Sequence, residues 1–199
     1  MKILLVGASG TIGQAVAAEL GARHDIITAG RSGGDVVLDM TDAASIKAAF
    51  EKVGAVDAVV STAGGVKFAN FWDMEDADYR IGLNDKLMGQ VNLVLIGRHH
   101  VAPKASFTLT TGILTHDPIR YGSSASMVNG ALEAFTRAAA TEFGNGMRIN
   151  AVSPGVLVES MEGYGPYFRG HQPVPGARAA LGYAKSVEGL QTGQVFEIF

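Results

Sequence analysis

Apolar residues follow two rhythms along this chain. Short unbroken runs of Val, Ile and Leu alternate with longer stretches that carry apolar residues every three or four positions. The short runs predict strands at Lys2–Val6, Ile26–Ala29, Val36–Leu38, Ala58–Ser61, Ser106–Thr111, Arg148–Val152 and Gln194–Ile198. They lack polar alternation, as strands buried on both faces do. The longer stretches predict helices at Ile12–Leu20, Asp42–Val53, Tyr79–His100, Ser124–Phe143 and Gly176–Val187. Thr41 or Asp42 suits the cap of the second helix, and Gly144 with Gly146 stops the fourth. Alternation from end to end predicts an α/β fold, a doubly wound parallel sheet with helices on both faces. No repeat, linker or low-complexity segment divides the sequence, so residues 1–199 read as one domain. Glu162–Pro175 stands apart, rich in Gly, Pro and aromatics.

In doubly wound sheets, ligands collect beyond the carboxyl ends of the strands. The first strand runs into Gly7-Ala8-Ser9-Gly10-Thr11-Ile12-Gly13 and then into an alanine-rich helix. A strand turning tightly into a helix aims unpaired N–H groups and the positive end of the helix dipole at one small space. Glycines at 7, 10 and 13 remove the side chains that would keep a diphosphate from those groups. The spacing is G-x-x-G-x-x-G, and a bland glycine turn fits it too; the strand before and the helix after favour a dinucleotide site. The second strand ends at Ala29-Gly30-Arg31-Ser32. An acid there would accept from a ribose 2′-hydroxyl, whereas Arg31 pairs with a 2′-phosphate, so the expected cofactor is NADP(H). The alternative is a solvated loop arginine. Leu38-Asp39-Met40 offers an edge for adenine, with Asp39 equally suited to helix capping. Ser61-Thr62-Ala63-Gly64-Gly65 forms a second glycine turn where two halves of a cofactor would meet.

Composition narrows the partners. Nineteen acids against sixteen Lys and Arg, with no basic run, argue against nucleic acid and anionic membranes. Cysteine is absent, which excludes a disulfide framework, a thiolate nucleophile and a zinc–thiolate cluster. The histidines are scattered apart from His99-His100, so no metal site is expected. Mean hydropathy is +0.19 without an apolar run of membrane-spanning length, and the chain opens directly on a core strand. The expectation is a soluble, cytoplasmic protein.

Here the chain resembles the short-chain dehydrogenase/reductase family over nearly its full length. Gly7–Gly13 is similar to the family's cofactor turn, and Asp39 to its adenine-contacting acid. Thr62-Ala63-Gly64 resembles the N-A-G motif with Thr62 for Asn. Arg148-Ile149-Asn150-Ala151-Val152-Ser153-Pro154-Gly155 resembles the strand and turn that face the nicotinamide, bringing Val156 with it, and Thr192-Gly193-Gln194 resembles the T-G-Q of the last strand. The resemblance implies a Rossmann-like sheet of about seven strands and hydride transfer between a nicotinamide and a carbonyl or alcohol. It also implies a homodimer formed through the third and fourth long helices.

The catalytic motif departs from the family. Counting back from Ala131-Leu132-Glu133-Ala134-Phe135, Ala125 stands at the Tyr position and Asn129 at the Lys position of Tyr-x-x-x-Lys. Three residues are candidates for the missing work. Lys86, in the place of the family's helix Asn, offers a cation that desolvation can bring toward neutrality, or else a stem packed on the helix with its head in water. Thr111 or Thr110 offers a hydroxyl where the family has its Ser, or else fills a strand position. Tyr121, four residues before Ala125, offers a phenol, or else packs as a loop tyrosine. His116 beside Asp117 is a weaker acid candidate. Two functions follow: an NADP(H)-dependent oxidoreductase with a rearranged proton donor, acting on a small carbonyl or alcohol, or a non-catalytic NADP(H)-binding sensor.

Overall fold

A computed structural model describes all residues, 1–199, and its strands form one seven-stranded parallel sheet. In chain order the elements are β1 (Lys2–Val6), α1 (Thr11–Gly21), β2 (Asp25–Gly30), β3 (Val36–Val37), α2 (Ala43–Val53) and β4 (Ala58–Ser61). These are followed by α3 (Asp76–Gly82), a π-helical turn (Leu83–Met88), α4 (Gly89–Gly97), β5 (Ser106–Thr110) and α5 (Ser123–Glu142). The chain ends with β6 (Arg148–Pro154), α6 (Met161–Tyr164), α7 (Gly176–Glu188) and β7 (Val195–Ile198). No helix is long and apolar enough to cross a membrane.

The strand order is β3-β2-β1-β4-β5-β6-β7. The chain winds outward to β3, then returns to the other side of β1, so the direction reverses between β1 and β4. That reversal opens a crevice above the strand ends. Side-chain alternation along β1 shows how the sheet is covered. Leu4 and Val6 face a core shared with Ile46, Phe50, Leu93 and Leu132 of α2, α4 and α5. Ile3 and Leu5 face Val16 and Leu20 of α1 and Tyr183 and Val187 of α7. Both faces are therefore apolar, which accounts for the unalternated runs.

Three local features shape the site, and two of them differ from the sequence expectation. The helix expected over Tyr79–His100 is α3, the π-helical turn and α4 in succession. Gly82 and Gly89 flank the wide turn, and both are buried. A Cβ at Gly89 would lie 2.9 Å from Met40 Cβ, and one at Gly82 would lie 3.1 Å from Val66 Cγ1, so these glycines let the helix press inward at both ends of the turn. Second, β2 and β3 are joined by Arg31–Asp35 without a crossover helix, as the closeness of the two strands in the sequence implies. Asp35 holds this short link, since its Oδ2 accepts from the Thr28 N–H at 2.9 Å and the Thr28 hydroxyl at 2.7 Å. Third, the segment after β6 includes α6 and a bridge between Leu157 and Val174, which returns the chain to the residues just after β6. Of the two caps offered for α2, Asp42 is the one used, accepting from Ala44 N at 2.9 Å.

Candidate functional site

The glycine turn is built almost wholly of backbone. Gly7 takes φ +89°, and a Cβ there would meet Ala63 N at 2.8 Å. At Gly13 a Cβ would sit 2.0 Å from the Gly7 carbonyl oxygen. These two glycines are required by the chain itself. Gly10 differs: its nearest neighbour to a Cβ is the Gly7 oxygen at an ordinary 3.5 Å, and the residue is exposed. What Gly10 leaves open is access to the start of α1, which has no side-chain cap and no acid in its first turn. Thr62 holds the turn from β4, its hydroxyl donating to the Val6 and Gly7 carbonyls at 3.0 and 3.1 Å.

Two hollows meet above the strand ends. One, of about 280 Å³, is lined by Gly7, Ser9, Gly10, Arg31, Ser32 and Met40, with Ala63 beyond. The other, of about 460 Å³, has Thr11, Ile12, Lys86 and Thr111 on its walls and is closed by Pro154, Gly155 and Val156. Thr62 and Gly64 line both, so the two are ends of one cleft crossing the reversal point. The structure thus gathers most of the residues anticipated from sequence. Asp39 is not among those lining either hollow. Its carboxylate turns back on its own loop, accepting from the Thr41 N–H and hydroxyl at 2.9 and 2.7 Å, which holds its pKa below the usual range with help from nearby Arg31. Leu38 and Met40 face the hollow in its place.

At the inner end, Lys86 lies on the π-helical turn. Gly64, at φ +132°, permits this approach, because a Cβ there would meet Lys86 Cα at 2.9 Å. The amine donates to the Thr111 carbonyl at 3.1 Å and has no carboxylate partner, Asp85 instead accepting from Gly65 N at 3.2 Å. Burial disfavours the charged form and lowers the Lys86 pKa to about 8. The Thr111 hydroxyl makes only a long bond to the Val152 carbonyl, 3.3 Å. Thr110 is spoken for, its hydroxyl lying 2.6 Å from both the Ser61 carbonyl and the phenol of buried Tyr183.

Two further residues were not singled out for a role by sequence. Buried Gln90 accepts from Thr110 N at 2.8 Å and donates to the Thr110 and Lys86 carbonyls at 3.0 and 3.2 Å, fixing the π-helical turn to the end of β5. No pattern marks it; only its position four residues after Lys86 offers a hint. Asn129 lines the larger hollow beside Ala125. Its amide nitrogen donates to the Gly112 carbonyl at 3.4 Å, while its buried Oδ1 has no partner. A buried acceptor without a donor costs about 1–3 kcal/mol, which a ligand hydroxyl would recover.

Tyr121 is not brought to this cleft. With φ +70°, it lines a separate hollow with Trp72 and Ser126, its ring edge-on to Tyr167 at 5.7 Å and beneath the Arg120 guanidinium at 5.1 Å. His116 also lies outside it, with Nε2 3.4 Å from both Glu133 and Glu197.

Residues 7–189 match the model of the family described as enoyl-(acyl carrier protein) reductase. The chain belongs to the short-chain dehydrogenase/reductase family. Oxidoreductase UcpA of Escherichia coli (strain K12) is 31% identical over 133 residues, 61% of this chain and 49% of that protein. The chain spans about half the length of the curated relatives it matches. The crystal structure of the protein lin1944 from Listeria innocua is 48% identical, with a TM-score of 0.98 and full coverage of both chains. A small-chain dehydrogenase crystallised in complex with NADPH shares the fold, with a TM-score of 0.88 at 24% identity, covering 100% of this chain and 96% of that one.

Proposed function

We propose that this protein is an NADP(H)-dependent oxidoreductase that interconverts a small carbonyl compound and its alcohol. The observation that carries the reading is the continuous cleft, with a cradle of free N–H groups and an arginine at one end and a lysine of lowered pKa at the other. The residues suit the cofactor on two counts: Gly10 is free of side-chain bulk where nothing in the protein demands it, and Asn129 presents an unpaired acceptor. Gly7, Ser9, Gly10, Thr11, Ile12 and Gly13 would hold the diphosphate. Arg31 and Ser32 would take the 2′-phosphate, and Met40 and Ala63 would flank the adenosine. Pro154, Gly155 and Val156 would back the nicotinamide, which supplies or accepts the hydride.

Proton transfer falls to this chain's own side chains. At neutral pH a Lys86 amine of pKa about 8 is mostly protonated yet a better acid than an ordinary lysine, suiting donation to a developing alkoxide. The Thr111 hydroxyl, weakly held, orients the carbonyl oxygen. Gln90 keeps both at the β5 end. The chain would act as one domain, in the cytoplasm and as a homodimer; a monomeric mass in solution would remove that last element. One observation favours the non-catalytic NADP(H)-sensor reading: α5 presents only Ala125 and Asn129 to the cavity, and neither titrates.

Titration with NADPH, NADP+ and NADH by calorimetry, in wild type and Arg31→Ala, tests the reading. A lost charge-assisted bond of about 1.5–3 kcal/mol should weaken NADPH roughly 10- to 150-fold and leave NADH nearly unchanged. Absence of binding by any dinucleotide would overturn both readings together. Binding without turnover in a carbonyl screen would favour the sensor.

A further inference from the structure

The larger hollow is chemically uneven. Thr11, Ile12, Gly64, Pro154 and Gly155 line the end that continues toward the glycine turn, and Lys86, Thr111 and Asn129 stand where the reading above places the chemistry. The remaining wall is mostly apolar and includes Val66, Phe68, Ile113, Leu114, Tyr164 and Phe168. Three of these form a row of rings, Tyr164 lying edge-on to Phe68 at 5.8 Å and to Phe168 at 6.3 Å. Rings in this arrangement hold a planar apolar guest well. Polar side chains on this wall are few: the hydroxyls of Ser160 and Tyr164.

Charge is scarcer still. Lys86 and Tyr164 are the only ionisable side chains lining the cavity, and Lys86 is committed to the reacting end. A substrate carboxylate would enter without a cation of its own. A polyhydroxylated substrate would bury several hydroxyls against carbon, each unpaired one costing about 1–3 kcal/mol. The volume, about 460 Å³, must also house the nicotinamide and so excludes a bulky substrate.

We propose that the substrate is a neutral carbonyl compound with an apolar, ring-sized body, and not a sugar, a polyol or a carboxylate. This rests on the oxidoreductase reading. With the cofactor bound, its reduced nicotinamide would supply hydride to the carbonyl carbon and be left oxidised; Lys86 would give its proton to the oxygen, completing the alcohol, and solvent would reprotonate the amine. Phe68 and Tyr164 sit at the rim, 36% and 42% exposed, where they can be altered without opening the core.

The experiment compares NADPH-driven reduction of benzaldehyde, 4-carboxybenzaldehyde and a ketohexose. Alongside, calorimetry measures benzyl alcohol and 4-carboxybenzyl alcohol binding to the NADP+-loaded protein. The expected result is a kcat/KM for benzaldehyde about 100-fold above the other two, with the same order in binding. Phe68→Arg should supply the missing cation and raise 4-carboxybenzaldehyde about tenfold relative to benzaldehyde. Turnover that favours the ketohexose or the carboxylate would overturn the proposal and leave the oxidoreductase reading standing. Selective binding of benzyl alcohol without any turnover would support the apolar specificity and overturn the oxidoreductase reading. Failure of the neutral aryl compounds both to bind and to react would overturn the proposal.

Discussion

The two ends of the cleft are made in different ways. At the glycine turn the groups presented to the cleft are backbone N–H donors, and the sequence contributes chiefly by withholding side chains. At the inner end the polar groups that line the cleft are side chains, Lys86, Thr111 and Asn129, brought from three separate elements. The first kind of site leaves a spacing pattern in the sequence. The second depends on where the fold aims each side chain, and there α5 presents Ala125 and Asn129. Gly7 and Gly13 are needed by the fold whatever the turn binds, because a Cβ at either would come within 2.8 Å of backbone. A site made of side chains can be rebuilt residue by residue.

This contrast can be broken at either end. The largest effect should come from Lys86→Met. If Lys86 donates the proton, its loss should lower carbonyl reduction about 10²- to 10⁴-fold while NADPH affinity changes little. The same variant should fold more stably at neutral pH, by about 1–3 kcal/mol, because it no longer buries an amine. The sign follows from the lowered pKa: between about 8 and 10.5 the unfolded chain binds more protons at Lys86 than the native state does. Wild-type stability therefore gains as pH rises through that window, and the gap to Lys86→Met should narrow in parallel melts at pH 7 and pH 10. A gap that widens would contradict the assignment.

Next comes Gly13→Ala. A Cβ 2.0 Å from the Gly7 oxygen cannot be accommodated without moving the turn. The expected loss is about 3 kcal/mol, or roughly 6–12 °C in melting temperature, with dinucleotide binding reduced as a consequence. Gly10→Val sharpens the comparison. Nothing in the protein crowds that position, so stability should shift by less than about 1 kcal/mol. NADPH affinity should nonetheless fall about tenfold or more, because the branched side chain occupies the approach to the N–H groups. Equal losses of stability in the two variants would mean that the turn serves the fold alone.

Much of the architecture could be read from the sequence because the sheet is buried on both faces. Unalternated runs such as Ile3–Val6 and Ala58–Ser61 admit few other readings, and the strand ends moved by only a residue or two. The π-helical turn could not be read, since Leu83–Met88 carries the same apolar spacing as the α-helix around it. Its flanking glycines gain meaning only once Met40 and Val66 are seen against them. Asp39 followed the family pattern in sequence, yet Thr41 two residues later captures its carboxylate. Tyr121 was near enough in sequence to Ala125 to be a candidate, but a left-handed backbone and the Tyr167 ring place it elsewhere. In the sequence Asn129 marks only an absence of lysine; its unpaired oxygen shows only in the packed cavity.

The most direct test of the account is the pH dependence of kcat/KM for NADPH-driven reduction of a neutral aryl aldehyde, in wild type and in Lys86→Met. If Lys86 donates the proton, the wild-type value is level at low pH and falls tenfold per unit above about pH 8, and the variant is slow with no such limb. A wild-type profile flat from about pH 6 to 10, or a descending limb that survives in Lys86→Met, would place the proton donor elsewhere.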